Sequence, residues 1–218
     1  MKEVKKAGSW RTWLFGCALA LGVCIGCITL CYLRGGHPLR RGFGIEELLI
    51  DESVFPDGWK VDPAGPSAPA KAPLGGLKSI ERTSLHFYIW GVGGEQIWSG
   101  VADEQIHRFW SVNDAVEEFE RQMRIAFAVG KYDTPWVVPA ELPYQSSVAD
   151  RFFFACSVQG GIPMCRMIGQ YDEYFVIFNT HMSPDFMTYE DLERVLQAID
   201  ERMAHFLAEV LSEQVTHK

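Results

Sequence analysis

Hydrophobic and polar positions divide the chain into one long uncharged block and a series of shorter, patterned segments. The block runs from Trp13 to Leu33, flanked by Lys2, Lys5, Lys6 and Arg11 before it and by Arg34, Arg40 and Arg41 after it. About 20 apolar residues suffice for a helix to cross a bilayer. Beyond it the periods shorten. Leu85, Phe87 and Ile89 alternate with His86, Tyr88 and Trp90, the period of a strand. A second strand is predicted over Val101–Trp110. Ser111, with Asp114 three residues on, caps a helix whose apolar face is Val112, Val116, Phe119, Met123 and Phe127, stopped by Gly130. Three strands follow over Val148–Val158, Ile162–Tyr171 and Glu173–Met182. Thr188-Tyr189-Glu190-Asp191 then caps a long helix with Leu192, Val195, Leu196, Ile199, Met203, Phe206 and Val210 on one face.

Strands, helix, three-strand meander and helix in that order predict an α+β fold: an N-terminal transmembrane helix, then one antiparallel-sheet domain with two main helices packed on one face. The implied layout is a cytoplasmic basic tail (1–12), the anchor (13–33), a basic juxtamembrane segment (34–43), the domain (44–214) and a tail (215–218). Before the first long strand, Gly44–Glu52 reads as a short helix, and Asp62–Gly76, with four prolines, as an extended surface loop.

The anchor carries two opposed stripes. Cys17, Cys24, Cys27 and Cys31 form one, and read as small apolar side chains rather than as a metal or redox site. Ala18, Gly22, Gly26 and Thr29 form the other. Repeated small residues let helix backbones approach, so this face is the expected contact with a second copy or another membrane protein. The small-residue sequence Ala18-Leu19-Ala20 lies inside the run, where cleavage would leave an apolar stub, so an uncleaved anchor is expected. A lipidated Cys27 is the rival reading, since the apolar stretch before Cys17 is too short for a lipidation site. The basic residues before the run place the N-terminus in the cytoplasm and the domain outside. Arg34, Arg40 and Arg41 are expected to rest on headgroups.

Charge sharpens this picture. The whole chain has a net charge of −8, but residues 44–218 hold 13 Lys+Arg against 27 Asp+Glu, a net of −14. Such a domain repels polyanions, so the expected partners are the lipid bilayer and membrane proteins, with no nucleic acid.

Cys156 and Cys165 flank Gly160-Gly161, a pair suited to a two-residue hairpin turn. Counting outward from the turn sets Gln159 against Ile162, Val158 against Pro163 and Cys156 against Cys165. The last two pairs fall on non-hydrogen-bonded positions, where Cα atoms come closest and Pro loses no ladder bond. A cross-strand disulfide is expected, which also argues for an oxidising compartment.

No catalytic signature appears. HExxH, GxSxG, GxxxxGK and GxGxxG are all missing from the chain, and the histidines lack metal spacing. The protein is expected to be a non-enzyme with no cofactor. Aromatic residues remain as candidate chemistry. Phe152-Phe153-Phe154 cannot all face one core: either both sheet faces are covered or Phe153 lines a groove. Phe153, His181, Tyr88 and Trp90 are the candidate groove residues.

The stretch from Asp150-Arg151-Phe152 to Met203 resembles a known layout: a hairpin with paired cysteines, a strand such as Tyr174-Phe175-Val176-Ile177-Phe178, then a capped helix. It is similar to the extracytoplasmic domains of bacterial lipoproteins and anchored proteins, and to PsbP-like and PknH-sensor-like α+β domains. Phe55-Pro56-Asp57-Gly58-Trp59 resembles the phrasing of such proteins from Chloroflexi-type bacteria. The resemblance implies a binding or accessory role outside the membrane: a ligand- or partner-binding domain, or a small subunit of a larger membrane complex docked through its helix.

Overall fold

In the computed structural model, residues 41–67, 79–90, 98–128 and 133–216 are described. They fall within one compact unit, Pro38–Lys218. The anchor, its cysteine stripe and the small-residue face of Ala18, Gly22, Gly26 and Thr29 lie outside the described residues. Among the described residues no helix is long and apolar enough to cross a membrane.

Six strands form one antiparallel sheet in the order β1-β2-β3-β6-β5-β4. They are β1 (Lys60–Val61), β2 (Glu81–Trp90), β3 (Trp98–Arg108), β4 (Arg151–Gln159), β5 (Ile162–Tyr171) and β6 (Tyr174–His181). Among the described residues two α-helices accompany them, α1 (Val112–Ala126) and α2 (Tyr189–Thr216). The segment expected as a helix over Gly44–Glu52 is instead a strap with two short 3-10 turns, Ile45–Leu48 and Glu52–Val54. The helix caps follow the sequence. Ser111 Oγ accepts from Asp114 N, and Thr188 Oγ1 accepts from Asp191 N while Asp191 Oδ2 accepts from Thr188 N. α2 runs through Thr216, into the stretch set aside above as a tail (215–218).

The expectation that both helices pack on one face is wrong. Successive strand residues point to opposite faces, and the two faces of this sheet belong to different clusters. Val176 and Phe178 of β6 join Leu85, Phe87, Met167 and the α2 residues Leu192, Val195, Leu196, Ile199 and Met203. Phe175 and Ile177 join Ile168, Phe153 and the α1 residues Ala115 and Phe119. The helices therefore sandwich the sheet. The strap completes the α2 side, with Ile45, Leu48, Leu49, Ile50, Phe55 and Trp59 buried there. Val112, expected on the apolar face of α1, is exposed, and Ala115 and Ala126 are buried.

The β4–β5 hairpin has the expected register, with Val158 opposite Pro163 and Cys156 opposite Cys165. Gly160 and Gly161 sit at φ 58° and 78°, a region that favours glycine because it has no Cβ. The backbone of Cys156 bonds outward to Val137, which confirms that its pair with Cys165 is the non-hydrogen-bonded kind. A disulfide joins the two across a Cα–Cα distance of 4.0 Å. Protein taken from its native source should yield these cysteines as one linked peptide under non-reducing digestion. Cys165→Ala should cost roughly 2.5 kcal/mol in chemical denaturation, as expected for so short a loop. Free thiols at both positions would place the domain in a reducing compartment.

Arg41 departs from the headgroup role expected of it. Its side chain is 3% exposed. Nε donates to Glu173 Oε1 at 2.8 Å and Nη2 to Asp172 Oδ2 at 2.6 Å, with a second bond from Nη2 to Glu173 Oε2. Arg41 and Arg108 both lie near the Tyr174 ring, at 5.8 and 5.7 Å from its centroid. The start of the described chain is thus fastened to the β5–β6 turn.

Candidate functional site

The four groove candidates share a face but do not converge. By strand alternation Tyr88, Trp90, Phe153 and His181 all lie on the α1 side of the sheet. Tyr88 and Trp90 meet edge to face at 5.5 Å near one margin, and Trp90 is 48% exposed. Phe153, on β4 at the other margin, packs beneath α1 against Phe127 at 4.8 Å. It belongs to the core, and both sheet faces are covered there. His181 ends β6 half-buried, and burial holds its pKa below the usual value.

α1 covers only part of this face, over β5 and β6. A polar row crosses the strands beside it. The registers set His86 opposite Asp103, Asp103 opposite Asn179, and Asn179 opposite Arg166, on β2, β3, β6 and β5 in turn. Asn179 Nδ2 donates to Asp103 Oδ2 at 3.1 Å, and Gln105 Nε2 donates to the same oxygen at 3.0 Å. Arg166 Nε donates to Asn179 Oδ1 and Nη1 to the carbonyl of Ala126 at 3.0 Å, tying the row to the C-terminal end of α1. The guanidinium lies 5.3 Å from the centroid of the Trp136 indole.

Two clefts flank this row. One, of about 260 Å³, lies between α1 and the sheet, with Gln105, Gln122, Arg166 and Asn179 as its polar lining and Ile125, Ile168 and Ile177 as its apolar walls. The other, of about 230 Å³, is lined by Asp62, His86, Tyr88, Val101 and Asp103. Asp103 joins them: it lines the second and binds Gln105 and Asn179 of the first. Sequence reasoning found Tyr88 but missed Gln105, Gln122, Arg166 and Asn179. No local motif marks them, and only the strand register aligns them.

His107 also lies on this face, buried beside Glu118 and 6.5 Å from the Phe175 ring centroid. Burial, partly opposed by Glu118, lowers its pKa to about 4, so the ring is neutral at physiological pH. Among the described residues no group of three or more His, Cys, Asp or Glu is placed to hold a metal ion.

A sheet order of β1-β2-β3-β6-β5-β4 with a helix on each face defines an α+β fold. The chain is similar in fold to the extracellular domain of PknH from Mycobacterium tuberculosis, with a TM-score of 0.52 and 10% sequence identity over 77% of this chain and 98% of that one. At that identity the likeness is one of fold alone. No family model and no curated protein matches the chain.

Proposed function

We propose that this is a single-pass membrane-anchored protein whose α+β domain lies outside the membrane and binds a small ligand without transforming it. The observation that carries the binding reading is the cleft between α1 and the sheet. It combines apolar walls with a few placed polar groups, the usual make-up of a ligand site. The Cys156–Cys165 disulfide and the likeness to an extracellular domain support the compartment. The uncharged run of residues 13–33 supports the anchor.

Ile125 lines the cleft and is 47% exposed, so its side chain can grow without disturbing the core. The full chain purified from its own membranes should carry a non-covalent small-molecule adduct in native mass spectrometry. Ile125→Trp, which obstructs the cleft, should lose it. No adduct on the wild-type chain, or one unaffected by Ile125→Trp, would overturn the assignment of the cleft.

A further inference from the structure

We propose that the cleft between α1 and the sheet recognises an uncharged glycan bearing N-acetylated sugars, a reading that rests on the ligand-binding role proposed above. The carboxamides carry the argument. A carboxylate only accepts hydrogen bonds, so the amide facing it must present nitrogen. Gln105 Nε2 is turned to Asp103 at 3.0 Å and Gln122 Nε2 to Glu118 at 2.8 Å. Asn179 has Nδ2 on Asp103, and its Oδ1 accepts from Arg166. Asn179 is thus occupied on both sides. Gln105 and Gln122 are occupied on one side only, and each keeps an oxygen and a second N–H, one offered from the sheet and one from the helix.

Paired acceptors and donors suit groups that do both. Sugar hydroxyls donate and accept, and an acetamido group offers one N–H and one carbonyl. Ile125 and Ile177 supply apolar walls for the C–H face of a pyranose and for an acetyl methyl. The charged groups at the lining are paired: Asp103 with Arg166 through Asn179, and Glu118, which accepts from Gln122, with Arg121. The cleft therefore has no surplus charge to recognise an ion, and the net charge of −14 over residues 44–218 disfavours a polyanion. The row from His86 to Arg166 crosses four strands. At about 4.8 Å between neighbouring strands it is about 14 Å long. That length matches two linked rings, and a second cleft lies beside Tyr88 at its far end.

The test is a titration of the full chain, held in a zwitterionic detergent so that no glycoside headgroup competes. N,N′-diacetylchitobiose is the probe, and cellobiose, of the same size without acetamido groups, is the control. Saturable binding of the first is expected, at least tenfold tighter than the second. Gln105→Leu and Gln122→Leu should each weaken it about tenfold or more, with thermal melts confirming that both fold. Gln122 lies on the surface of α1, so its variant keeps the test decisive if Gln105→Leu is unstable. Equal affinity for the two sugars, no binding, or binding indifferent to both variants would overturn the proposal. If the native adduct is lost in Ile125→Trp yet diacetylchitobiose does not displace it, the ligand class fails and the cleft stands. If neither adduct nor sugar binds, both fail.

Discussion

Replacing Arg41 by methionine is expected to destabilise the domain by about 3 kcal/mol, the lower part of the range for breaking a buried ion pair. Arg41 and Glu173 are each 3% exposed, and the guanidinium meets Glu173 through two of its nitrogens. Methionine keeps much of the volume and removes the charge, leaving the Glu173 carboxylate buried. Arg108 Nη2 remains 3.5 Å from Glu173 Oε1, which is why the loss stays at the low end. Urea denaturation of the full chain measures it. Adding Glu173→Gln to Arg41→Met should restore part of the loss, because the stranded charge is then gone. A loss below about 1 kcal/mol for Arg41→Met would mean that this pair acts like an exposed one.

The second large effect is a dependence of stability on pH centred on Glu104. This side chain is 0% exposed in the middle of the sheet, on the α2 side. Oε2 accepts from the backbone N–H of Ile50 in the strap at 2.9 Å, and Oε1 has no partner among the described residues. Burial raises its pKa to about 8, against small opposing effects from Ile50 N–H and from Arg202 of α2. The folded state therefore holds a proton that the unfolded state gives up near the ordinary carboxyl value of 4.5. The stabilisation is complete below that value and is lost as pH rises through about 8. Between pH 5 and pH 8 the loss assigned to Glu104 is about 3 kcal/mol. Glu104→Gln cannot ionise, so its stability should vary less over this range by that amount. The slope is the readout, because the new amide N–H groups alter the absolute value. Parallel pH profiles for the two chains would show that Glu104 ionises as freely in the fold as outside it.

What could be read in advance follows the range of each interaction. The Cys156–Cys165 register was legible because Gly160-Gly161 and both strands lie within a few residues of one another. Ser111 and Thr188 were legible for the same reason: a cap bonds to a residue three positions on. The placement of the helices was not, because it depends on the whole sheet. A signal existed, however. Tyr174-Phe175-Val176-Ile177-Phe178 is apolar at every position, which marks a strand buried on both faces. Phe152-Phe153-Phe154 carries the same mark, and together they argue for one helix on each side.

Arg41 was misread because a basic residue after an apolar run looks like a headgroup contact, whereas its partners lie at Asp172 and Glu173, more than 130 positions further on. The polar row was hidden in the same way. Asp103 and Asn179 are 76 residues apart, and nothing local marks either. Glu104 did leave a trace, as a charged residue set between Ala102 and Ile106 on the α2 side of β3.

The strand order also bears on how the chain reaches this state. β2 with β3, and β4 with β5 and β6, are each built from neighbours in sequence, so either group can assemble by short-range collisions. Their union is different. The β3–β6 ladder pairs residues from Ala102–Thr180 to Arg108–Tyr174, and the whole of α1, the loop after it, β4 and β5 lie in between. Closing so long a loop has an entropic cost that neither local group bears. The central seam of the sheet, where the Asp103–Asn179 link sits, is therefore the slow junction of folding, and topology rather than side-chain chemistry sets its pace.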